Sequence, residues 1–263
     1  MSESKIRVIV AGFRGSMGTA SCQAILNDDR FELTGVFDPH AALTDGNDTQ
    51  HLPSQVVVAT TENELPEADV WLDFTTPTVV EHNVEVALQH GLVPLVGTSG
   101  LTTAQIKSLQ ALAASAHLGG LIVPNFGLSA VLLTQFAKQA AKYFPNAEII
   151  EMHHADKRDA PSGTAVATAH AIAAGRQQQP DPDHTESSVD GVRGGIVDNV
   201  PIHAVRLPGY LAHEQVLFGG TGEALTIRQD TYDCESFMVG VKLALSKVTT
   251  LTELKVGLEQ VLD

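Results

Sequence analysis

Apolar runs alternate with helix-patterned stretches along the first half of the chain. Helical spacing of apolar residues predicts helices around Ala20–Leu26, Thr78–His90 and Thr103–Ser115. Short runs of mainly β-branched and other apolar residues predict the strands Ile6–Ala11, Leu33–Phe37, Val56–Val58, Val70–Phe74, Val93–Val96 and Leu121–Val123. Continuous apolar strands are typical of sheets covered on both faces. The alternation therefore predicts an α/β fold with a doubly wound parallel sheet.

The second half of the chain has a different order of elements. A helix near Ser129–Tyr143 precedes a strand at Glu148–Met152, and a helix ending near Ala174 follows. The next predicted strands, separated by turn residues, are Ile202–Arg206, Glu214–Phe218 and Ala224–Gln229. Consecutive strands of this kind indicate an antiparallel or mixed sheet, and therefore a second, α+β domain.

Two further helices are predicted near the carboxyl end, at Phe237–Ser246 and Thr252–Leu262, and we expect them to return to the first domain. Residues 1–126 together with about 237–263 are therefore expected to form the first domain. Residues 127–236 are expected to form the second.

The composition limits the classes of partner. With 263 residues, 43% hydrophobic and 18% charged, the chain is typical of a globular protein of one large or two medium domains. The net charge of −15 argues against nucleic acid or anionic membrane as a partner, because both attract cationic surfaces. No apolar signal region and no apolar run of about 20 residues is present, so we expect a cytoplasmic protein.

The chain has two cysteines, Cys22 and Cys234, which are too few for a disulfide framework. We expect Cys234 to be a buried small side chain rather than a reactive thiol.

Three glycines lie between the first predicted strand and the first predicted helix, as Gly12-x-x-Gly15-x-x-Gly18. Glycines at such a turn let the backbone approach a pyrophosphate, and the helix start supplies N–H groups to it. The middle glycine is one place later than in the common dinucleotide fingerprint, and Arg14 takes its usual position. In this context we predict a dinucleotide site of the Rossmann type, and the alternative is a plain turn.

Asp38 ends the second predicted strand, 38 − 18 = 20 residues after the last of these glycines. A carboxylate at this place suits the ribose hydroxyls of NAD(H) and repels the 2′-phosphate of NADP(H). Arg14 or His40 could compensate for that repulsion. We therefore predict NADH or dual NADH and NADPH use, and the alternative is that Asp38 is a turn residue before Pro39.

The stretch from Glu151 to Ala165 concentrates the chemistry of the second half. His153, His154 and Lys157 place proton donors and cations on a predicted loop, and Ser162-Gly163-Thr164 opens a predicted helix. Backbone N–H groups at a helix start bind anions, so we predict a site that holds a carboxylate substrate and protonates it. The alternatives are histidines with no chemical role, a solvated lysine and a simple N-cap.

The assembled motifs resemble the 4-hydroxy-tetrahydrodipicolinate reductase family, also called the dihydrodipicolinate reductase family. Matching segments run from Val8 to Gly240. The most specific match is Glu151-x-His153-His154-x-x-Lys157-x-Asp159-Ala160-Pro161-Ser162-Gly163-Thr164-Ala165. Three further family motifs occur in the expected order, Asp73-Phe74-Thr75-x-Pro77, Gly97-Thr98-Ser99-Gly100 and Asn125-Phe126-Gly127.

The resemblance implies an oxidoreductase of the diaminopimelate route to lysine. The implied reaction reduces 4-hydroxy-tetrahydrodipicolinate, a small cyclic dicarboxylate, to tetrahydrodipicolinate with NADH or NADPH and with loss of water. The first domain is implied to bind the dinucleotide, and the second to bind the substrate and to build a homotetramer. No metal, nucleic acid or membrane partner is implied.

The resemblance also assigns roles to individual residues. The implied proton donor/acceptor is His153, and the implied proton donor is Lys157. The implied substrate-binding residues are His154, Ser162, Gly163 and Thr164. The implied cofactor contacts are Gly12, Phe13, Arg14, Gly15, Ser16, Met17, Asp38, Gly97, Thr98, Ser99, Val123, Pro124, Asn125 and Phe126. Positions that depart from many family members are Ser16, Gln229 and Cys234.

Two other functions stay open on the sequence alone. A reductase of this fold could act on another cyclic imine or on an aldehyde, because substrate choice depends on the loops of the second domain. A regulator that binds a dinucleotide without catalysis would have no use for the proton donors His153 and Lys157, which argues against that class.

Overall fold

The computed structural model describes residues 4–40 and 52–262. The chain divides into two compact units, one of Met1–Phe126 with Phe237–Asp263 and one of Gly127–Ser236. Within the described ranges, no helix is long and apolar enough to cross a lipid bilayer.

A parallel sheet forms the centre of the first unit. Its strands are β1 (Ile6–Ala11), β2 (Phe31–Phe37), β3 (Val57–Ala59), β4 (Val70–Asp73), β5 (Val93–Val96), β6 (Gly120–Ile122) and β12 (Leu254–Val256). They lie in the order β12-β6-β5-β4-β1-β2-β3, and every pairing is parallel. The winding reverses between β1 and β4, and open sheets of this class bind ligands outside the carboxyl ends of the strands at such a point.

Among residues 4–40 and 52–262, the α-helices that accompany this sheet are α1 (Ser16–Leu26), α2 (Val80–Gln89), α3 (Thr103–Ser115) and α6 (Ser236–Val248). The central strands are mainly apolar because both of their faces are covered. Val8, Ile9 and Val10 of β1 have no exposed surface, and neither do Trp71 and Leu72 of β4. The predicted doubly wound parallel sheet is confirmed.

The second unit contains a mixed sheet of five strands, packed on one face against two helices. The helices are α4 (Leu128–Ala140) and α5 (Gly163–Gly175). The strands are β7 (Asn146–His153), β8 (Gly195–Val197), β9 (Val200–Arg206), β10 (Ala212–Gly220) and β11 (Glu223–Thr231). Their order is β11-β10-β7-β9-β8, with β7 parallel to β9 and the other pairs antiparallel. This confirms the predicted second α+β domain.

Alternation along these strands decides which side chains face the helices. Ile149 of β7 is buried with Val216 and Phe218 of β10, and they pack with Ala169 and Ile172 of α5. Residues at odd positions of β7 therefore point to the helix side. Glu151 and His153 continue that series, so the chemistry of the second unit lies on its helix-covered face.

The predicted helix Thr252–Leu262 is wrong. The segment instead forms β12 and a 3-10 turn at Leu258–Val261. Buried Leu254, Leu258 and Val261 recur at helical spacing, which is why the pattern favours a helix. Pairing with β6 decides for a strand, and Gly257, with φ of 101°, turns the chain directly after it.

The expected burial of Cys234 is also wrong. Cys234 is exposed, whereas Cys22 is buried in α1. Asp233 closes a turn here, since its carboxylate accepts the N–H of Glu235 at 2.8 Å and its carbonyl accepts the N–H of Ser236 at 3.2 Å. This turn places Cys234 on the surface, in the connection from β11 to α6.

The sequence pattern does not predict the strand β8. Its residues Gly195 and Ile196 are exposed, so no buried apolar run marks the strand.

Candidate active site

All predicted cofactor contacts lie in the first unit, at or just after the carboxyl ends of its strands. Gly12–Met17 follow β1, Asp38 follows β2, Gly97–Ser99 follow β5 and Val123–Phe126 follow β6. Because the sheet is parallel, these ends share one edge. The fold therefore brings four segments that are distant in sequence to the same edge of one sheet.

Two glycines of the turn after β1, Gly12 and Gly18, have no room for a side chain. Gly12 has φ of 75°, and a Cβ there would lie 2.4 Å from the carbonyl oxygen of Phe74. A Cβ on Gly18 would lie 2.2 Å from the carbonyl oxygen of Gly12. Gly15 is the N-cap of α1, and since glycine has no side chain, no side-chain cap covers this helix start. This helix start suits a phosphate group. The side chain of Phe13 is fully buried, which leaves its backbone for any cofactor contact.

Gly97 is enclosed in the same way by two aromatic rings. A Cβ at this position would lie 2.2 Å from the ring of Phe74 and 2.8 Å from the ring of Phe126. The two rings pack together with centroids 5.6 Å apart. No side chain fits at position 97, so the packing of the two rings requires glycine there.

A buried carboxylate connects the loops at this edge. Asp73 ends β4 with no exposed surface, and its Oδ1 accepts from Thr98 Oγ1 at 2.7 Å and from Thr75 Oγ1 at 2.6 Å. Its Oδ2 accepts from Trp71 Nε1 at 3.1 Å and from Asn83 Nδ2 at 2.9 Å. These bonds tie the segment after β4 to the segment after β5. Asp73 was a family-motif residue without an assigned role, and the structure gives it this one.

Asp38 and Arg14 form an ion pair after β2. Arg14 Nη1 lies 3.6 Å from Asp38 Oδ2, and Asp38 Oδ1 accepts the backbone N–H of His40 at 2.8 Å. The carboxylate at the predicted ribose position therefore has a cation beside it. Its contact with His40 also closes a turn, so the alternative role of Asp38 as a turn residue is compatible with the same geometry.

The predicted proton donors and substrate-binding residues lie together in the second unit, between β7 and α5. His153 is the last residue of β7, and His154 is exposed directly after it. Lys157 N–H donates to the His154 carbonyl at 3.2 Å, which closes the first turn of the loop. The loop ends at Ser162, where α5 begins. One short connection thus carries the whole predicted set.

Glu151 is the central charge of this group. Its Oε2 lies 2.5 Å from His153 Nδ1 and accepts from Arg206 Nη1 at 2.7 Å. Its Oε1 accepts from Arg206 Nη2 at 2.8 Å and from the Ser162 N–H at 3.2 Å. Burial by itself raises the pKa of Glu151, but the hydrogen bonds from His153 and Arg206 outweigh it and lower the pKa to about 2. Glu151 is therefore ionised at neutral pH although its side chain is fully buried.

The start of α5 has one occupied and one open position. Ser162 is the N-cap, and its Oγ accepts the N–H of Ala165 at 3.2 Å. Ser162 is therefore an N-cap residue, as the simpler of the two interpretations predicts. Gly163 is exposed, and a Cβ there would meet no atom within 4 Å. The backbone at Gly163 is therefore exposed, with the positive end of the helix dipole behind it.

Lys157 forms an ion pair with Asp159. Its ammonium donates to both carboxylate oxygens of Asp159, at 2.8 and 3.0 Å. This hydrogen bond, more than the opposing burial, lowers the pKa of Asp159. Lys157 is largely buried and Asp159 is more than half exposed. The pair keeps the cation within the loop and leaves its carboxylate partner in water.

A second carboxyl lies beside Glu151 on the same face. Glu214 of β10 is paired in register with Glu151 and is buried. Burial raises the pKa of Glu214 to about 7, a hydrogen bond with Thr168 opposes the rise, and the charge of Glu151 adds to it. Its Oε1 has no hydrogen-bond partner among the described residues. No sequence motif marked this carboxyl.

Gln229, which departs from many family members, lies next to Glu214 on β11. It is buried, and its Oε1 accepts from Ser129 Oγ and Thr231 Oγ1, each at 3.2 Å. The residue is therefore part of the hydrogen-bonded layer under α4. In the described part of the chain, no cluster of three or more histidine, cysteine or acidic side chains could hold a metal ion.

The chain is similar to known proteins over almost its whole length. The family model described as dihydrodipicolinate reductase, N-terminus, matches residues 6–126, and the one described as dihydrodipicolinate reductase, C-terminus, matches residues 129–262. A Limosilactobacillus fermentum protein named 4-hydroxy-tetrahydrodipicolinate reductase is 56% identical over 260 residues, covering 97% of this chain and 99% of that protein. A Lactobacillus helveticus protein of the same name is 53% identical, covering 97% and 98%.

A solved structure is also similar to the whole chain. It is a dipicolinate-bound dihydrodipicolinate reductase from Paenisporosarcina sp. TG-14, with a TM-score of 0.91 and 40% sequence identity. The match covers 98% of this chain and 100% of that one.

The raised pKa of Glu214 makes stability depend on pH. Its ordinary pKa is 4.5 and its folded value about 7. Between the two, the folded chain keeps a proton that the unfolded chain has released, so the free energy of unfolding falls as pH rises through this window. Glu214→Gln removes this titration. The free energy of unfolding of the variant, relative to wild type, should rise by roughly 2–3 kcal/mol from pH 5 to pH 8.

Urea unfolding at the two pH values, at one protein concentration, measures this difference. Glu64→Gln is the control. The pKa of Glu64 is lowered by hydrogen bonds from Thr60 and Thr61. Glu64 is thus ionised throughout this range, and its variant should show little pH dependence relative to wild type. An equal offset for Glu214→Gln at both pH values would contradict the buried, protonated carboxyl.

Proposed function

The chain belongs to the dihydrodipicolinate reductase family, and we propose that its two units bind the two reactants of this family's reaction separately. The enzyme reduces 4-hydroxy-tetrahydrodipicolinate to tetrahydrodipicolinate in the diaminopimelate route to lysine. It is an oxidoreductase that depends on a nicotinamide cofactor. The substrate gains a hydride and a proton, and water leaves.

The first unit is proposed to bind the dinucleotide at its carboxyl edge. Two features of the chain fit such a ligand: the uncapped start of α1 for the pyrophosphate, and positions such as Gly12 and Gly97 where a Cβ would clash with backbone or rings. When bound, a reduced nicotinamide supplies the hydride. The proposed contacts are Gly12, Phe13, Arg14, Gly15, Ser16, Met17, Asp38, Gly97, Thr98, Ser99, Val123, Pro124, Asn125 and Phe126.

The second unit is proposed to bind the cyclic dicarboxylate. The Paenisporosarcina relative is named as dipicolinate-bound, and dipicolinate is a ring with two carboxylates. The N–H groups at Gly163 and Thr164, with the Ser162 side chain, suit one carboxylate, and His154 suits the other end of the ligand. Lys157 supplies a cation at the same loop, and a substrate carboxylate competes with Asp159 for it.

His153 and Lys157 are proposed to deliver the protons of the reaction. A hydride that adds to a conjugated ring system creates negative charge, which a positioned acid must neutralise. The single observation that carries this role is the contact of His153 Nδ1 with the buried carboxylate of Glu151, next to the open start of α5. It holds an acid–base ring beside an anion-binding helix start.

NADH use, alone or together with NADPH, is proposed from the position of Asp38. A carboxylate there accepts hydrogen bonds from ribose hydroxyls and repels a 2′-phosphate. Arg14 at 3.6 Å partly offsets the repulsion, which favours dual use over strict NADH specificity.

A homotetramer and a cytoplasmic location stay predictions. The sheet face opposite α4 and α5 carries the half-buried apolar residues Ile150 and Leu217, which supports contact with further copies of the chain. The proposed partners are therefore the small dicarboxylate, the dinucleotide and other copies of the same chain.

The reaction is tested by supplying the substrate in situ with dihydrodipicolinate synthase and following the absorbance of NADH and NADPH. Oxidation should depend on the synthase product and on the purified chain. If neither nucleotide is oxidised while the synthase is active, the assignment fails. The ratio of the two rates measures the cofactor preference.

In the same assay, His153→Ala and Lys157→Ala should each lower kcat by roughly 10²–10⁴-fold, the range for a positioned acid. His203→Ala and Lys142→Ala serve as controls, because they change the same residue types in the second unit outside the proposed site. Both controls should keep kcat near wild type. If kcat falls by less than threefold in both His153→Ala and Lys157→Ala, the proposed roles of these residues are wrong.

Asp38→Ser should raise kcat/KM for NADPH relative to NADH by about tenfold, since it removes the charge that repels the 2′-phosphate and leaves Arg14 in place. The control is Asp29→Ser, which removes an equal charge from the exposed Asp29 of the same unit. Its cofactor ratio should match wild type. An unchanged ratio in Asp38→Ser would show that Asp38 has only its turn role.

A further inference from the structure

We propose that Glu151 is a positioning residue for this reaction, which fixes the His153 ring so that only its Nε2 exchanges protons with the substrate. The inference rests on the proposed role of His153 as proton donor. It goes beyond that role because Glu151 touches neither reactant in the proposal and acts through the histidine.

The protonation of the two groups decides the orientation of the ring. An ionised carboxylate can only accept hydrogen bonds, so at a separation of 2.5 Å His153 Nδ1 must carry the hydrogen. This holds for the neutral ring and for the imidazolium. The proton that His153 gains or loses therefore sits on Nε2 in every cycle. Without Glu151, the neutral ring could place its hydrogen on either nitrogen, and the ring could rotate.

Arg206 keeps Glu151 charged and in place. Its two terminal nitrogens donate to the two carboxylate oxygens of Glu151, a bidentate geometry that fixes the plane of the carboxylate. Arg206 Nη1 also donates to the Val205 carbonyl at 2.8 Å, and Nη2 to the Asp159 carbonyl at 2.7 Å. The arginine is thus bound both to its own strand β9 and to the loop of residues 154–161 between β7 and α5. It compensates a charge that burial alone would disfavour.

The same carboxylate also fixes the start of α5. Glu151 Oε1 accepts the N–H of Ser162, the N-cap residue of that helix. His153 and the anion-binding turn are therefore held by one group. The side chain of Glu151 thereby sets the distance between His153 and the start of α5. The two stay close together although a loop of eight residues, positions 154–161, separates them in sequence.

Neighbouring carboxyls do not replace Glu151. Glu214 lies next to it in register, but its burial raises the pKa and it holds a proton over much of the neutral range. Asp159 is bound to Lys157 and is more than half exposed. Glu151 is, among these three, the buried and ionised carboxylate in contact with the imidazole.

A double-mutant cycle with His153→Ala tests the proposal. Glu151→Gln alone should lower kcat by about 10–100-fold and change KM for the nicotinamide cofactor by less than about threefold. In the His153→Ala background, the same substitution should lower kcat by less than about threefold, because the ring it positions is gone. A merely structural role would give equal losses in both backgrounds, and this outcome overturns the proposal. So does a loss below threefold in the single variant.

Glu148→Gln is the matched control. Glu148 lies on the same strand and also binds a histidine, His203 Nε2 at 2.8 Å, and an arginine, Arg193. Its substitution removes the same charge from the same kind of cluster outside the proposed site. We expect kcat and KM near wild type.

If Glu151→Gln does not fold, the cycle is run with Arg206→Lys, which keeps the positive charge and loses the bidentate contact. We expect a loss of at least about fivefold in kcat that disappears in the His153→Ala background. Equal losses in the two backgrounds again overturn the proposal. Failure of the reaction assignment looks different, since the wild-type chain would then oxidise neither nucleotide.

Discussion

The second unit depends on a single buried negative charge. Glu151 has no exposed surface and is ionised, and an uncompensated carboxylate in that position would cost several kcal/mol. The compensation comes from Arg206, the His153 ring and the N–H of Ser162. These are the groups that shape the candidate site. The groups that stabilise the charge therefore also align His153, the proposed proton donor, with the start of α5.

The first unit also contains a buried acidic side chain, that of Asp73. This carboxylate is also fully buried, and hydroxyl, amide and indole donors surround it. In both units a carboxyl group at or near the end of a strand accepts hydrogen bonds from several elements. The partners differ. The donors to Asp73 are neutral and tie the segment after β4 to the segment after β5, whereas Glu151 is held by Arg206 and contacts the imidazole of His153.

Much of the site was predictable because its residues are consecutive. The segment from His153 to Thr164 carries the proposed proton donors and a helix start within twelve consecutive residues, and the glycine turn lies between a strand and a helix. Other features were not predictable. Arg206 ends an ordinary strand pattern, and nothing in its neighbourhood marks it as the partner of Glu151, 55 residues away. The segment Thr252–Leu262 has helical spacing of its apolar residues, but Leu254–Val256 within it pair with β6 and form a strand.

The sequence by itself determined the α/β order of elements and the two sheets, and it predicted the edge at which we propose that a dinucleotide binds and the loop proposed to carry the acid chemistry. Local patterns suffice for these, because periodicity and turn residues act over a few positions. Only the tertiary structure decided which charges meet. The register of β7 and β9 places His153 beside Arg206, and the register of β7 and β10 places Glu151 beside Glu214. Register follows from burying one face of a whole sheet, a property that no single segment contains.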